Sequence, residues 1–92
     1  MPASTAGAGG GTMRAVRWHA RNDVRVDRVP VPGAPGPGRV RVAVAWTGVC
    51  GTDREEWRHG PMFIPAGAPH PLSGQAAPIT LGHEIAGHVL EV

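Results

Sequence analysis

The sequence has little with which to build a hydrophobic core. Val, Leu, Ile and Phe together make up 18 of its 92 residues. Such a share accompanies disorder when net charge is high, but here the formal net charge is only +2. The composition excludes a highly charged, solvated chain and points instead to turns and short strands, with Gly at 14 and Pro at 10 positions. At this length the chain is one small domain at most, and its core would be thin.

Other absences narrow the field. Cys50 is the single cysteine, which excludes an internal disulfide and gives no sign of an oxidising compartment. Lysine is missing: the nine basic residues are all Arg, spread from Arg14 to Arg58 among Asp23, Asp27, Asp53, Glu55 and Glu56. A pI of 10.0 therefore reflects arginine's high pKa rather than a basic patch, and no nucleic-acid partner is expected. No charged start followed by an apolar run marks a signal peptide, and no stretch is long and apolar enough to span a bilayer, so no membrane partner is expected and the cytoplasm is the default location. No internal repeat is present.

The segment 1–12, MPASTAGAGGGT, lacks periodicity and is expected to be a disordered extension, with the domain running from 13 to 92. A first strand is expected over Arg14–Trp18 and a second over Val24–Val29, where apolar and charged residues alternate before Pro30 removes a ladder donor. The breaker-rich loop 33–38 leads to the longest strand, Arg39–Trp46, with Val40, Val42, Val44 and Trp46 on one side and Arg39, Arg41, Ala43 and Ala45 on the other. Thr52 and Glu55 have the spacing of a capping box, and Gly60-Pro61 stops the helix they begin. Residues 60–80 carry five prolines, so little regular structure is expected there, and a long irregular loop in a small domain is more often functional than accidental. A last strand is expected over about 87–92.

The residues that carry chemistry fall in two stretches, Cys50-Gly51-Thr52-Asp53 and Gly82-His83-Glu84-Ile85-Ala86-Gly87. Thiolate, imidazole and carboxylate are the donors of a catalytic zinc centre. Cys50 and His83 are too far apart for a zinc-finger knuckle, so the fold itself would have to join them. Taken alone, a single cysteine is more often a small hydrophobe than a ligand.

Together, in this order and at this distance, the two stretches resemble the zinc-dependent medium-chain alcohol dehydrogenases. The resemblance covers residues 13–92, the first part of a GroES-like catalytic domain. The intervening Gly60–Pro65 and Pro69–Gly74 look most like the butanediol dehydrogenase branch. It implies a mainly β fold, a partial and incomplete barrel with one short helix and a long Pro/Gly-rich loop. It implies that Cys50 and His83 hold a catalytic Zn2+ and that Glu84 binds the metal or sits just behind it. Thr52 would hydrogen-bond the substrate alcohol and pass on its proton, or else serve only as N-cap. Asp53 would orient the zinc-binding histidine, or else favour the helix start. Relatives often continue the proton relay with a histidine three residues after the Thr; Glu55 stands there and is able to shuttle protons or to complete the capping box. Gly82 and Gly87 read as turn or close-approach glycines. His88 reads as structural, and His19, His59 and His70 as surface or loop residues, with His70 able to approach the substrate. Trp57 and Phe63 either pack or line the pocket.

The implied reaction is hydride transfer between a secondary alcohol or diol, or the matching ketone, and NAD or NADP, by a protein that is a homo-oligomer when full length. The nucleotide-binding half requires a βαβ unit with Gly-x-Gly-x-x-Gly, which is missing here, so this stretch by itself is expected to be inactive. Two rivals remain: a non-catalytic GroES-like module with a structural or interaction role, and a zinc-free quinone reductase of the same superfamily, which would have no need of Cys50 and His83-Glu84.

Overall fold

The computed structural model describes residues 11–92. Most of the expected N-terminal extension lies outside them. Five strands and one helix follow in the order β1 (Thr12–Ala20), β2 (Asp23–Pro30), β3 (Arg41–Gly48), α1 (Gly51–His59), β4 (Ile79–Thr80) and β5 (Glu84–Glu91). The described residues are mainly β, in two small sheets rather than a closed barrel. One sheet has the order β2-β1-β4 and the other is the pair β3-β5.

β1 and β2 form an antiparallel hairpin in register from Thr12↔Pro30 to Trp18↔Val24. Both strands are longer than their alternating cores suggested. Pro30 is the last residue of β2 instead of lying beyond it, which its position on a sheet edge permits, since an edge strand has one row of donors with no partner to serve. Asn22 turns the hairpin with φ 60, a left-handed conformation that asparagine tolerates well.

The strand expected over Arg39–Trp46 sits two residues later, at Arg41–Gly48. Arg39 is held in the preceding turn, its N–H donating to the Gly36 carbonyl at 3.1 Å. Register shifts after Arg41 and between Val44 and Trp46 interrupt the alternation, because a bulge puts successive side chains out of phase with the pleat. The alanine side of this strand is the covered one. Ala43 is buried while Trp46 is 73% exposed.

The cap of α1 also differs from expectation. Cys50, not Thr52, is the N-cap, with φ −92 and ψ 158, and the helix begins at Gly51. Asp53, not Glu55, closes the box: its Oδ2 accepts the Cys50 N–H at 3.0 Å. The competition was between two overlapping patterns two residues apart, and the aspartate at the third helical position won. The helix ends at His59 as expected, with the Gly60 N–H on the Glu56 carbonyl at 2.9 Å.

Trp18 is the largest fully buried side chain. Its indole N–H donates to the Glu56 carbonyl at 2.8 Å. Nearby, the Asn22 N–H reaches the Trp57 carbonyl at 2.6 Å and Arg21 Nε the Gly60 carbonyl at 2.9 Å. These bonds give the Trp57 and Gly60 carbonyls partners near the helix end, add a second donor to the Glu56 carbonyl, and so fasten α1 to the hairpin.

The proline-rich segment hides the short strand β4. Arg17↔Thr80 and Trp18↔Ile79 pair across β1, and the Arg17 guanidinium donates to the Pro78 carbonyl at 2.6 Å. One further bond, from the Leu81 N–H to the Val16 carbonyl at 2.9 Å, carries the chain to the threshold of Gly82-His83.

Candidate metal centre and adjoining clefts

Two registers bring the distant stretches together. The β1–β4 pairing delivers Leu81. Gly82 then turns the chain with φ +101, and a Cβ there would stand 2.6 Å from Thr47 Oγ1, so glycine is required by both conformation and space. His83 follows, and β5 starts at Glu84 rather than at Gly87 as expected. Glu84 pairs with Gly48, the last residue of β3, and Cys50 lies two residues beyond Gly48. The β3–β5 ladder thus sets the N-cap of α1 beside His83 and Glu84. Gly87 supports this ladder, since a Cβ there would meet the Ala43 carbonyl at 2.2 Å.

One ligand atom from each of Cys50, His83 and Glu84 lies within 4.8 Å of the others. It is the one such metal-competent group among the described residues. The free Cys50 is half-buried, while His83 and Glu84 keep 55% side-chain exposure. Behind them Asp53 is largely enclosed, at 14% side-chain exposure, and its Oδ1 faces His83 Nδ1 at 3.6 Å. Glu84 Oε2 lies 3.7 Å from the other ring nitrogen, Nε2. The imidazole therefore has a carboxylate on each side, one shared with the helix cap and one at the open face. Asp53 thus sets Oδ2 on the cap and turns Oδ1 toward the histidine.

The donor set fits zinc. A thiolate, an imidazole and a carboxylate converging from separate segments, with solvent access left over, is the pattern of a metal site with an open coordination position. Two adjoining clefts open beside it. One, of about 320 Å3, is lined by Thr52, Asp53, Phe63, Ile64, Ile79 and His83 among others. The second, of about 430 Å3, includes Cys50, Thr52, Glu55, Met62 and Phe63. Thr52 and Phe63 stand on the shared wall. Because the cap role has passed to Cys50, the Thr52 hydroxyl carries no capping duty.

The remaining candidates separate. Glu55 is exposed on α1 and approaches His59 at 3.9 Å. His19 pairs with Asp27 at 2.5 Å. His70 Nδ1 accepts the Leu72 N–H at 3.1 Å and tightens its own loop, and it lines neither cleft. His88 is exposed on β5 opposite Ala43. Phe63 faces both clefts, whereas Trp57 faces neither.

Sequence reasoning passed over Glu56. It is 6% exposed and lines both clefts. Its signal was weak but present: a carboxylate three residues after Asp53 shares that helix face, and it precedes an irregular segment whose backbone N–H groups need acceptors.

The alcohol dehydrogenase GroES-like domain family matches residues 36–92. This chain belongs to that family. Among relatives, the (R,R)-butanediol dehydrogenase of Bacillus subtilis is 46% identical over 80 residues, covering 87% of this chain and 23% of that protein. The crystal structure of 2R,3R-butanediol dehydrogenase from Bacillus subtilis superimposes with a TM-score of 0.81 at 46% identity, over 86% of this chain and 22% of the other. A probable zinc-binding alcohol dehydrogenase of Mycobacterium tuberculosis is 35% identical over 79 residues, which is 86% of this chain and 17% of that protein. The chain thus spans less than a quarter of the length of these relatives. The GroES-like assignment agrees with the strand-rich architecture of two small sheets and one short helix. Among the described residues no helix is long and apolar enough to cross a membrane.

Proposed function

We propose that residues 13–92 form the zinc- and alcohol-binding part of an oxidoreductase that moves hydride between a secondary alcohol or diol and NAD or NADP. One observation carries the reading: Cys50, His83 and Glu84 converge within 4.8 Å beside a cleft that Thr52 lines. The butanediol dehydrogenase likeness supports a diol over a primary alcohol.

Cys50, His83 and Glu84 are the ligands in this reading. His83 presents Nε2, the nitrogen turned toward Glu84, while Asp53 holds Nδ1 and fixes the ring's tautomer and tilt. Zinc, when bound, supplies Lewis acidity that lowers the pKa of an alcohol hydroxyl. The nicotinamide, when bound, supplies the hydride acceptor. Thr52 accepts the hydroxyl proton's hydrogen bond from the cleft side. Glu55, one helical turn on and exposed, receives the proton at the solvent end, where a carboxylate substitutes for the histidine common in relatives.

The test is turnover of secondary alcohols with NAD and NADP by the full-length polypeptide that carries this segment, alongside Thr52→Val. The variant is expected to keep its zinc and lose about 100-fold in kcat, the usual scale for a positioned proton-transfer group. A wild-type protein that oxidises no alcohol with either cofactor would sink the reading.

A further inference from the structure

Glu56 is the most enclosed charged residue described, at 6% exposure, yet the reaction proposed above gives it no task. Burying a carboxylate is costly unless hydrogen bonds replace its water, and here they come from one place. Oε1 accepts the Met62 N–H at 2.6 Å. Oε2 accepts the Phe63 N–H at 2.8 Å and the Ile64 N–H at 3.1 Å. Three consecutive amides of an otherwise irregular segment therefore converge on one side chain, and bonds to an ionised acceptor are the strong kind.

The side chain's role is separable from the fold's. The Trp18 indole, which helps fasten α1 to the hairpin, and the Gly60 N–H, which closes the helix, both donate to the Glu56 backbone carbonyl, which any residue provides. The helix stops at Gly60 without help from the carboxylate. The carboxylate instead holds the amides of residues 62–64, and Phe63 and Ile64 line the cleft that Thr52 and His83 also line. Phe63 itself is 82% exposed, so side-chain packing does little to hold it in place.

We propose that Glu56 is a positioning residue that clamps the Met62–Ile64 backbone and so sets the wall of the alcohol cleft against which the substrate's apolar part rests. The substrate half of this rests on the cleft being the alcohol site.

Glu56→Gln is the informative variant, because it keeps the size and the backbone carbonyl and replaces one acceptor oxygen with an NH2 donor. In hydrogen exchange on the chain, the amides of Met62, Phe63 and Ile64 are expected to lose about tenfold or more of their protection, with Trp18 and β1 unchanged. In the full-length enzyme, KM for a secondary alcohol is expected to rise about tenfold while kcat and zinc content stay near wild type. Phe63→Ala combined with Glu56→Gln is expected to be no worse than either alone, since both act on one wall. Unchanged exchange at residues 62–64 overturns the clamp. A fall in kcat or zinc content with KM unaltered, or additive effects in the double variant, overturns its role in the cleft. Should the wild type oxidise no alcohol, the functional reading and the substrate half fail together, and the exchange measurement still decides the clamp.

Discussion

The two ends of α1 treat their polar groups in opposite ways. At the C-terminal end, the carbonyls of Glu56, Trp57 and Gly60 are taken by Trp18, Asn22 and Arg21, and the Glu56 carboxylate is filled by three amides. At the N-terminal end, Cys50, His83 and Glu84 approach one another with lone pairs and solvent exposure to spare. A folded chain seldom leaves polar groups unpaired where pairing is available. Saturation thus marks the end of the helix that is fastened to the hairpin, and openness the end where the proposed ligands converge. Asp53 joins the two regimes, giving one oxygen to the cap and turning the other toward His83.

The largest loss is expected at the saturated end. Trp18→Ala removes the one large side chain fully buried among the described residues and takes one of two donors from the Glu56 carbonyl. It is expected to cost about 3 to 5 kcal/mol, measured by urea denaturation. A loss below about 1 kcal/mol would mean that the hairpin and helix do not depend on this contact. At the open end, Asp53→Asn sharpens the comparison. It keeps an acceptor for the cap but removes the charge facing His83, and metal affinity is expected to fall roughly tenfold, measured by chelator competition. Stability without metal should change by well under the Trp18 effect, since the replaced group still accepts the Cys50 N–H. Equal affinity in both proteins would reduce Asp53 to a capping residue.

Much of this arrangement is legible in the residues themselves. The first two strands, the Gly60 stop and the two glycine-flanked motifs follow from local pattern, whereas joining Cys50 to His83-Glu84 rests on the family resemblance rather than on spacing. The shifted position of β3 does not, because the turn bond from Arg39 to Gly36 and two bulges displace a strand whose valine alternation reads cleanly in either register. The cap at Cys50 was masked by a second, overlapping capping pattern from Thr52 and Glu55. β4 was hidden because two residues among five prolines carry no periodicity, and its pairing is dictated by β1, distant in sequence. Glu56 escaped for a related reason: its partners are backbone amides, and backbone amides leave no trace in residue identity.

The central claim is that the Cys50 thiolate and the His83 imidazole share one metal ion. Titrating the chain with Co2+ and recording the thiolate-to-metal charge-transfer absorption tests it most directly. A band that saturates at one equivalent, disappears in Cys50→Ser and needs at least about tenfold more metal in His83→Ala is the expected result. A missing band in the folded wild-type chain, or one that His83→Ala leaves unchanged, would contradict it.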